Sequence, residues 1–159
     1  MAGPLICRIR SLPKQQHLDA AVNAVRENPA NLPDGMSIDA LHADSADRLA
    51  VDITRWWRPL KDLTVGFLDL PSRDLRDRIL LHMNAWGRHT SVRFHEVATD
   101  PLIRIGRLTD SDGPGLGGYW SALGTDIKKV PAHLPTLNLE GFTTATPDSE
   151  FPRVVRHEA

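Results

Sequence analysis

Cysteine, aromatic residues and an excess of either charge are all scarce in this sequence. Cys7 is the single cysteine, so no intrachain disulfide can form and a zinc cage of several thiolates is excluded. Lys and Arg number 19 against 20 Asp and Glu, for a net charge of −1. Nucleic acid and anionic membranes require clustered cationic surface, so neither is expected as a partner. No apolar run approaches the roughly 20 residues of a membrane span. The first residues, Met1-Ala-Gly-Pro-Leu-Ile-Cys-Arg8, also lack the apolar stretch of a secretory signal. A soluble monomer is expected, cytoplasmic or exported by a non-classical route. Internal repeats are absent as well.

What is present is an ordinary globular balance, 41% apolar and 25% charged, in a chain long enough for one core. Residues 1–48 read as a helical and linker segment, a candidate pro-segment, and residues 49–159 as the main folding unit. Leu18, Ala21, Val22 and Val25 have helical spacing up to the stop at Asn28-Pro29. The stretch 29–47 is rich in Pro, Asp, Asn and Ala and is expected to be loosely packed. Leu49-Ala-Val-Asp-Ile53 offers a short strand, and Trp56-Trp57 follows as an aromatic anchor for the core.

Leu63, Val65 and Phe67 alternate in the clearest strand, 63–69. Ser72 is placed to cap a helix over 73–86 whose buried stripe is Leu75, Ile79, Met83 and Trp86, with Gly87 at its C′ position. Further strands are expected over 92–98, 102–108, 118–124 and 135–140. Asp148 or Ser149 then caps a final helix that tolerates Pro152 in its first turn and carries Val154, Val155, His157 and Glu158. The fold class is α+β with α/β-like character: a twisted mixed sheet of about five strands with two main helices, preceded by the N-terminal helical segment.

The final helix carries the chemistry. H-E-x-x-H sets two His residues on one helix face for zinc, with the Glu between them beside the metal as general base. Metzincins extend this to H-E-x-x-H-x-x-G-x-x-H. Only His157-Glu158-Ala159 stands here. A bare His-Glu pair is uninformative. His95-Glu96 is another, and it lies in Val92-Arg-Phe-His-Glu-Val97, a strand pattern in which i,i+4 ligation has no meaning.

Order supplies the context. Trp57-Arg-Pro and Leu63-Thr-Val-Gly-Phe-Leu-Asp69 come first, then Asn84-Ala-Trp86, Val92 to Val97 and Ile103-Arg-Ile105. Gly118-Tyr-Trp-Ser-Ala-Leu-Gly124 and Pro135-Thr-Leu-Asn-Leu139 lead into Val154-Val-Arg-His-Glu158. From about Leu49 to Ala159 this series resembles the opening of bacterial astacin-like and matrixin-like catalytic domains, that is, of metzincin-type zinc metallopeptidases.

The resemblance implies a zinc-dependent endopeptidase as the parent protein. His157 would be the first Zn²⁺ ligand and Glu158 the catalytic base. Tyr119, Trp120, Ser121 and Ala122 would form the edge strand that pairs with a peptide or protein substrate. The second and third His, the bending Gly and the Met-turn are not in the chain. It is therefore expected to be the front part of a catalytic domain, inactive and weakly zinc-binding alone. Two alternatives stand beside it: a non-catalytic module that captures peptides on the same edge strand, and an inactive truncated gene product.

Other patterns carry less. Gly113-Pro-Gly-Leu-Gly-Gly118 is not followed by the helix that a nucleotide loop must open. Asp110-Ser-Asp-Gly113 has the spacing that begins a calcium loop but lacks its closing acid, so a turn is the expectation. Cys7 sits in Ile6-Cys-Arg-Ile9 without the Pro-Arg-Cys-Gly setting of a matrixin propeptide, and a zinc-blocking role is set aside for it.

Overall fold

A computed structural model of the chain describes residues 7, 8, 10–39, 53–59 and 61–159. They fall into two compact units, one comprising 1–10, 60–121 and 131–159, the other 11–59 and 122–130.

The first unit is an α+β fold around a mixed five-stranded sheet of order β2-β1-β3-β5-β4. Strand β1 (Asp62–Phe67) pairs in parallel with β2 (Arg93–Glu96) and β3 (Ile103–Gly106), and β3 pairs in parallel with β5 (Leu137–Leu139). Only β4 (Tyr119–Ser121) runs antiparallel to its neighbour, with Tyr119 opposite Leu139 and Ser121 opposite Leu137. Helix α2 (Arg73–Met83) links β1 to β2 in the crossover that a parallel pair requires. Leu63, Val65 and Phe67 are buried, as their alternation predicts. Gly66 is also buried: a Cβ there would stand 2.5 Å from Cγ of Pro101, so only hydrogen fits between β1 and the turn before β3.

Ser72 caps α2 through Leu75 N–H, and Leu75, Ile79 and Met83 form its buried stripe. The helix stops earlier than its periodicity suggests. Asn84 donates to Phe94 O at 2.8 Å and accepts from Phe94 N at 3.0 Å, which ties the helix end to β2. Residues Asn84–Arg88 continue as a tighter 3-10 turn. Gly87 therefore lies inside that turn rather than at C′, and Trp86 is left 44% exposed instead of joining the core.

The last helix begins with a widened π turn, Phe151–Val155, and continues as α3 (Arg156–Glu158), with Pro152 in the first turn as expected. Neither Asp148 nor Ser149 makes the cap bond. The cap position is Glu150, without a side-chain bond, and Asp148 pairs with Arg78 instead. Phe151, Val154 and Val155 are fully buried and the π turn packs on α2. Burial of each such side chain contributes roughly 1.5–3 kcal/mol. Phe151 meets Phe142 edge to face at 5.2 Å, and Phe142 meets Tyr119 likewise at 5.6 Å, so an aromatic column joins the helix to β4.

In the second unit α1 (His17–Glu27) buries Ala20, Ala21, Val22, Ala24 and Val25 and ends at Asn28-Pro29 as read from sequence. Ala21, Val22, Ala24 and Val25 cluster with Ile53. The stretch after the helix is better packed than its composition suggests. Asn31 is 2% exposed, donates to Ala24 O and Trp56 O, and accepts from Thr54 Oγ1 and Trp56 N. Trp56 itself is 62% exposed, so this half of the aromatic pair is no core anchor; its backbone, held by Asn31, is the fixed part. The strand expected at 49–53 lies outside the described residues except for Ile53. Among the described residues no helix is long and apolar enough to cross a membrane.

Candidate metal centre

The burial pattern of the last helix places Glu158 before any contact is considered. Phe151, Val154, Val155 and Glu158 fall at i, i+3, i+4 and i+7, one face of a helix. The first three are apolar and fully buried; Glu158 continues the stripe at 8% exposure, while His157, one residue round, faces solvent. A carboxylate in that position requires a partner. Ser121, the last residue of β4, donates from Oγ to Glu158 Oε2 at 3.1 Å. The other oxygen, Oε1, is buried and has no hydrogen-bond partner among the described residues.

Cys7 completes the cluster. It forms an isolated parallel bridge to Tyr119, and Arg8 N donates to Tyr119 O at 2.8 Å. The chain segment that precedes the sheet thus lies along β4, the edge strand, and brings the thiol to the end of α3. One donor atom each from Cys7, His157 and Glu158 lies within 4.8 Å of the others. Desolvation, then the neighbouring Glu158 carboxylate, pushes the Cys7 thiol up to about 11, with Arg153 opposing. Thiolate, imidazole and carboxylate together suit a borderline-soft divalent ion such as zinc, and the unpaired Glu158 oxygen is the kind of buried atom that such a cluster leaves.

Of the residues singled out in the sequence, His157 and Glu158 lie in one cluster, and Ser121 joins it through Glu158. Tyr119 and Trp120 are in β4, but their side chains are buried, at 7% and 2%. At Tyr119 the main chain pairs with Cys7 and Arg8, so this part of the edge is occupied rather than open. The strand ends at Ser121, and Ala122 belongs to the other unit. Cys7, set aside in the sequence for want of a propeptide motif, is the residue that the structure adds to the cluster. Its one available signal was a lone thiol between basic and branched residues upstream of a His-Glu helix.

The glycine loop before β4 is held from within. Asn138, fully buried in β5, accepts from Leu108 N and donates to the carbonyls of Leu108, Leu116 and Gly118 at 2.8–3.0 Å. Asp110 accepts from Gly117 N, and Glu140 accepts from Gly118 N. A Cβ on Gly117 would come within 2.8 Å of both Asp110 N and the Glu140 carboxylate. Asp112 accepts from the amide and hydroxyl of Thr109, which hold its carboxyl below the usual range. The acidic residues of this loop serve its own backbone amides and hydroxyls, and the loop feeds a strand rather than a phosphate-binding helix.

No family profile and no curated protein matches the chain. Solved structures do. Two structures of myroilysin, a bacterial metalloprotease, superpose with TM-scores of 0.57 and 0.56, each at 27% identity over 65% of this chain. The fold is protease-like. The chain spans under half of those proteins, 48% and 43% of their lengths.

Proposed function

We propose that the chain is the front part of the catalytic domain of a metzincin-type zinc metalloendopeptidase. The close approach of Cys7, His157 and Glu158 carries the reading, and the likeness to myroilysin supports it. His157 would be a zinc ligand, with further ligands supplied by chain beyond Ala159. Zinc bound there would supply Lewis acidity toward a peptide carbonyl and toward water.

The residues of this chain have separable tasks. Glu158 is the general base: Ser121 holds Oε2, so the rotamer is fixed and Oε1 is left to take a proton. The β4 main chain is the strand that an extended peptide would join, by ladder hydrogen bonds. With Cys7 in place that strand is occupied and a thiol stands at the metal position. The same geometry therefore supports a latent state, opened when the segment around Cys7 leaves. A pro-segment role for the N-terminal stretch follows from this.

The test uses a longer form that contains the remaining ligands. Glu158→Gln keeps size and removes the base, so zinc content should hold while turnover falls by about 10²–10⁴-fold. His157→Ala should lose metal and turnover together. Near-full peptidase activity in zinc-loaded Glu158→Gln would overturn the assignment. A peptide-binding module without chemistry would show peptide affinity with no turnover in either parent or variants.

A further inference from the structure

Cys7 and Arg8 lie along β4, and Arg10 just after them is received by two groups of the sheet unit. The Arg10 guanidinium stands over the Trp120 ring, 4.1 Å from its centroid, and Nη1 donates to Gly115 O at 2.7 Å. Both halves of this receptor are fixed without Arg10. The indole Nε1 donates to Leu116 O at 2.9 Å, and Leu116 O also accepts from buried Asn138, so the ring plane and the loop carbonyls share one anchor. Nearby, Arg8 forms an ion pair with Asp110 at 3.7 Å, and Asp110 and Glu140 brace Gly117 and Gly118. An acidic, pre-built rim thus meets a basic strand.

We propose that the Trp120 ring face and the Gly115 carbonyl form a guanidinium subsite, which takes Arg10 in this chain and selects an arginine side chain in a peptide that joins β4 in its place. The chemistry favours Arg over Lys. A planar guanidinium stacks on the indole while one N–H still reaches the carbonyl, whereas an ammonium is a strongly hydrated point charge. Assigning the subsite to substrate choice rests on the reading of β4 as the substrate-pairing strand; the binding itself does not.

The experiment removes the internal occupant and adds a small one. In metal-free Arg10→Ala chain, ¹⁵N spectra follow the Trp120 indole N–H and the Gly115 and Leu116 amides. The additions are Nα-acetyl-arginine amide, its lysine analogue and its norleucine analogue. The arginine compound should shift these signals with an affinity at least about tenfold above norleucine, with lysine between. The parent chain, whose own Arg10 competes at high effective concentration, should bind it at least about fivefold more weakly. Should Arg10→Ala lose the native spectrum, Arg10→Gln keeps the side-chain stem and serves instead.

Equal binding of the arginine and norleucine compounds overturns the subsite. So does equal binding by parent and variant, because the arginine compound would then be elsewhere. No metal enters the measurement, so its failure leaves the proposed metal centre standing, and failure of that centre leaves this result intact.

Discussion

The hydroxyl of Ser121 donates to Glu158 Oε2 at 3.1 Å, so the last residue of an edge strand fixes the carboxylate that ends the helix stripe. Ser121→Ala would take from Glu158 Oε2, at 8% residue exposure, the hydroxyl donor it has among the described residues. The expected loss is about 1–3 kcal/mol of unfolding free energy in urea titration, largely restored by Ser121→Thr. An unchanged midpoint would mean that the bond does not hold Glu158.

Cys7 is expected to be a slow nucleophile in the metal-free chain. Its thiol is pushed up to about 11 from an ordinary 9.0 by desolvation and by Glu158. At pH 8 the thiolate fraction, and with it iodoacetamide alkylation, should be roughly a hundredfold below that of an unperturbed thiol. Glu158→Gln should speed the reaction. Because the folded value is raised, the protonated thiol contributes stability that is complete below pH 9 and lost as pH rises through about 11. Alkylation at the rate of a free thiol would contradict the placement of Cys7.

Asn138→Ala tests what shapes the loop before β4. The substitution removes four hydrogen bonds from a fully buried side chain and leaves Leu108 N–H among the orphaned groups. A loss of about 3 kcal/mol is expected in chemical denaturation, within the range for unsatisfied buried groups. The Trp120 indole signal should shift as well, since Leu116 O anchors both side chains. A loss below about 0.5 kcal/mol, as for an ordinary surface site, would contradict the role.

Local patterns were legible in the sequence where one force decided the outcome. The alternation of Leu63, Val65 and Phe67 gave β1, the stripe of Leu75, Ile79 and Met83 gave α2, and Ser72 gave its cap. His157 and Glu158 were singled out through the order of the segments before them, and the structure sets them beside Cys7 and Ser121. Failures came where a distant partner intervened. Asn84 ends α2 because Phe94, ten residues on, offers both a donor and an acceptor, and no helix propensity contains that. Trp86 is then turned outward, where its indole donates to Arg156 O at 2.7 Å. Asp148 is drawn from the helix cap to Arg78. Cys7 was set aside for want of a motif: its approach to Glu158, 151 positions away, exists only because residues 7 and 8 lie along β4.

Cobalt(II) titration of the chain at pH 8 tests the central claim, a metal centre at Cys7 and His157 beside the Glu158 carboxylate, most directly. Binding should be weak and reversed by chelator, because one thiol and one imidazole beside the Glu158 carboxylate fall short of a complete site. At saturation a thiolate-to-cobalt charge-transfer band should rise in the near ultraviolet, vanish in Cys7→Ser and fall sharply in His157→Ala. No band at saturating cobalt, or a band indifferent to His157→Ala, would contradict the account.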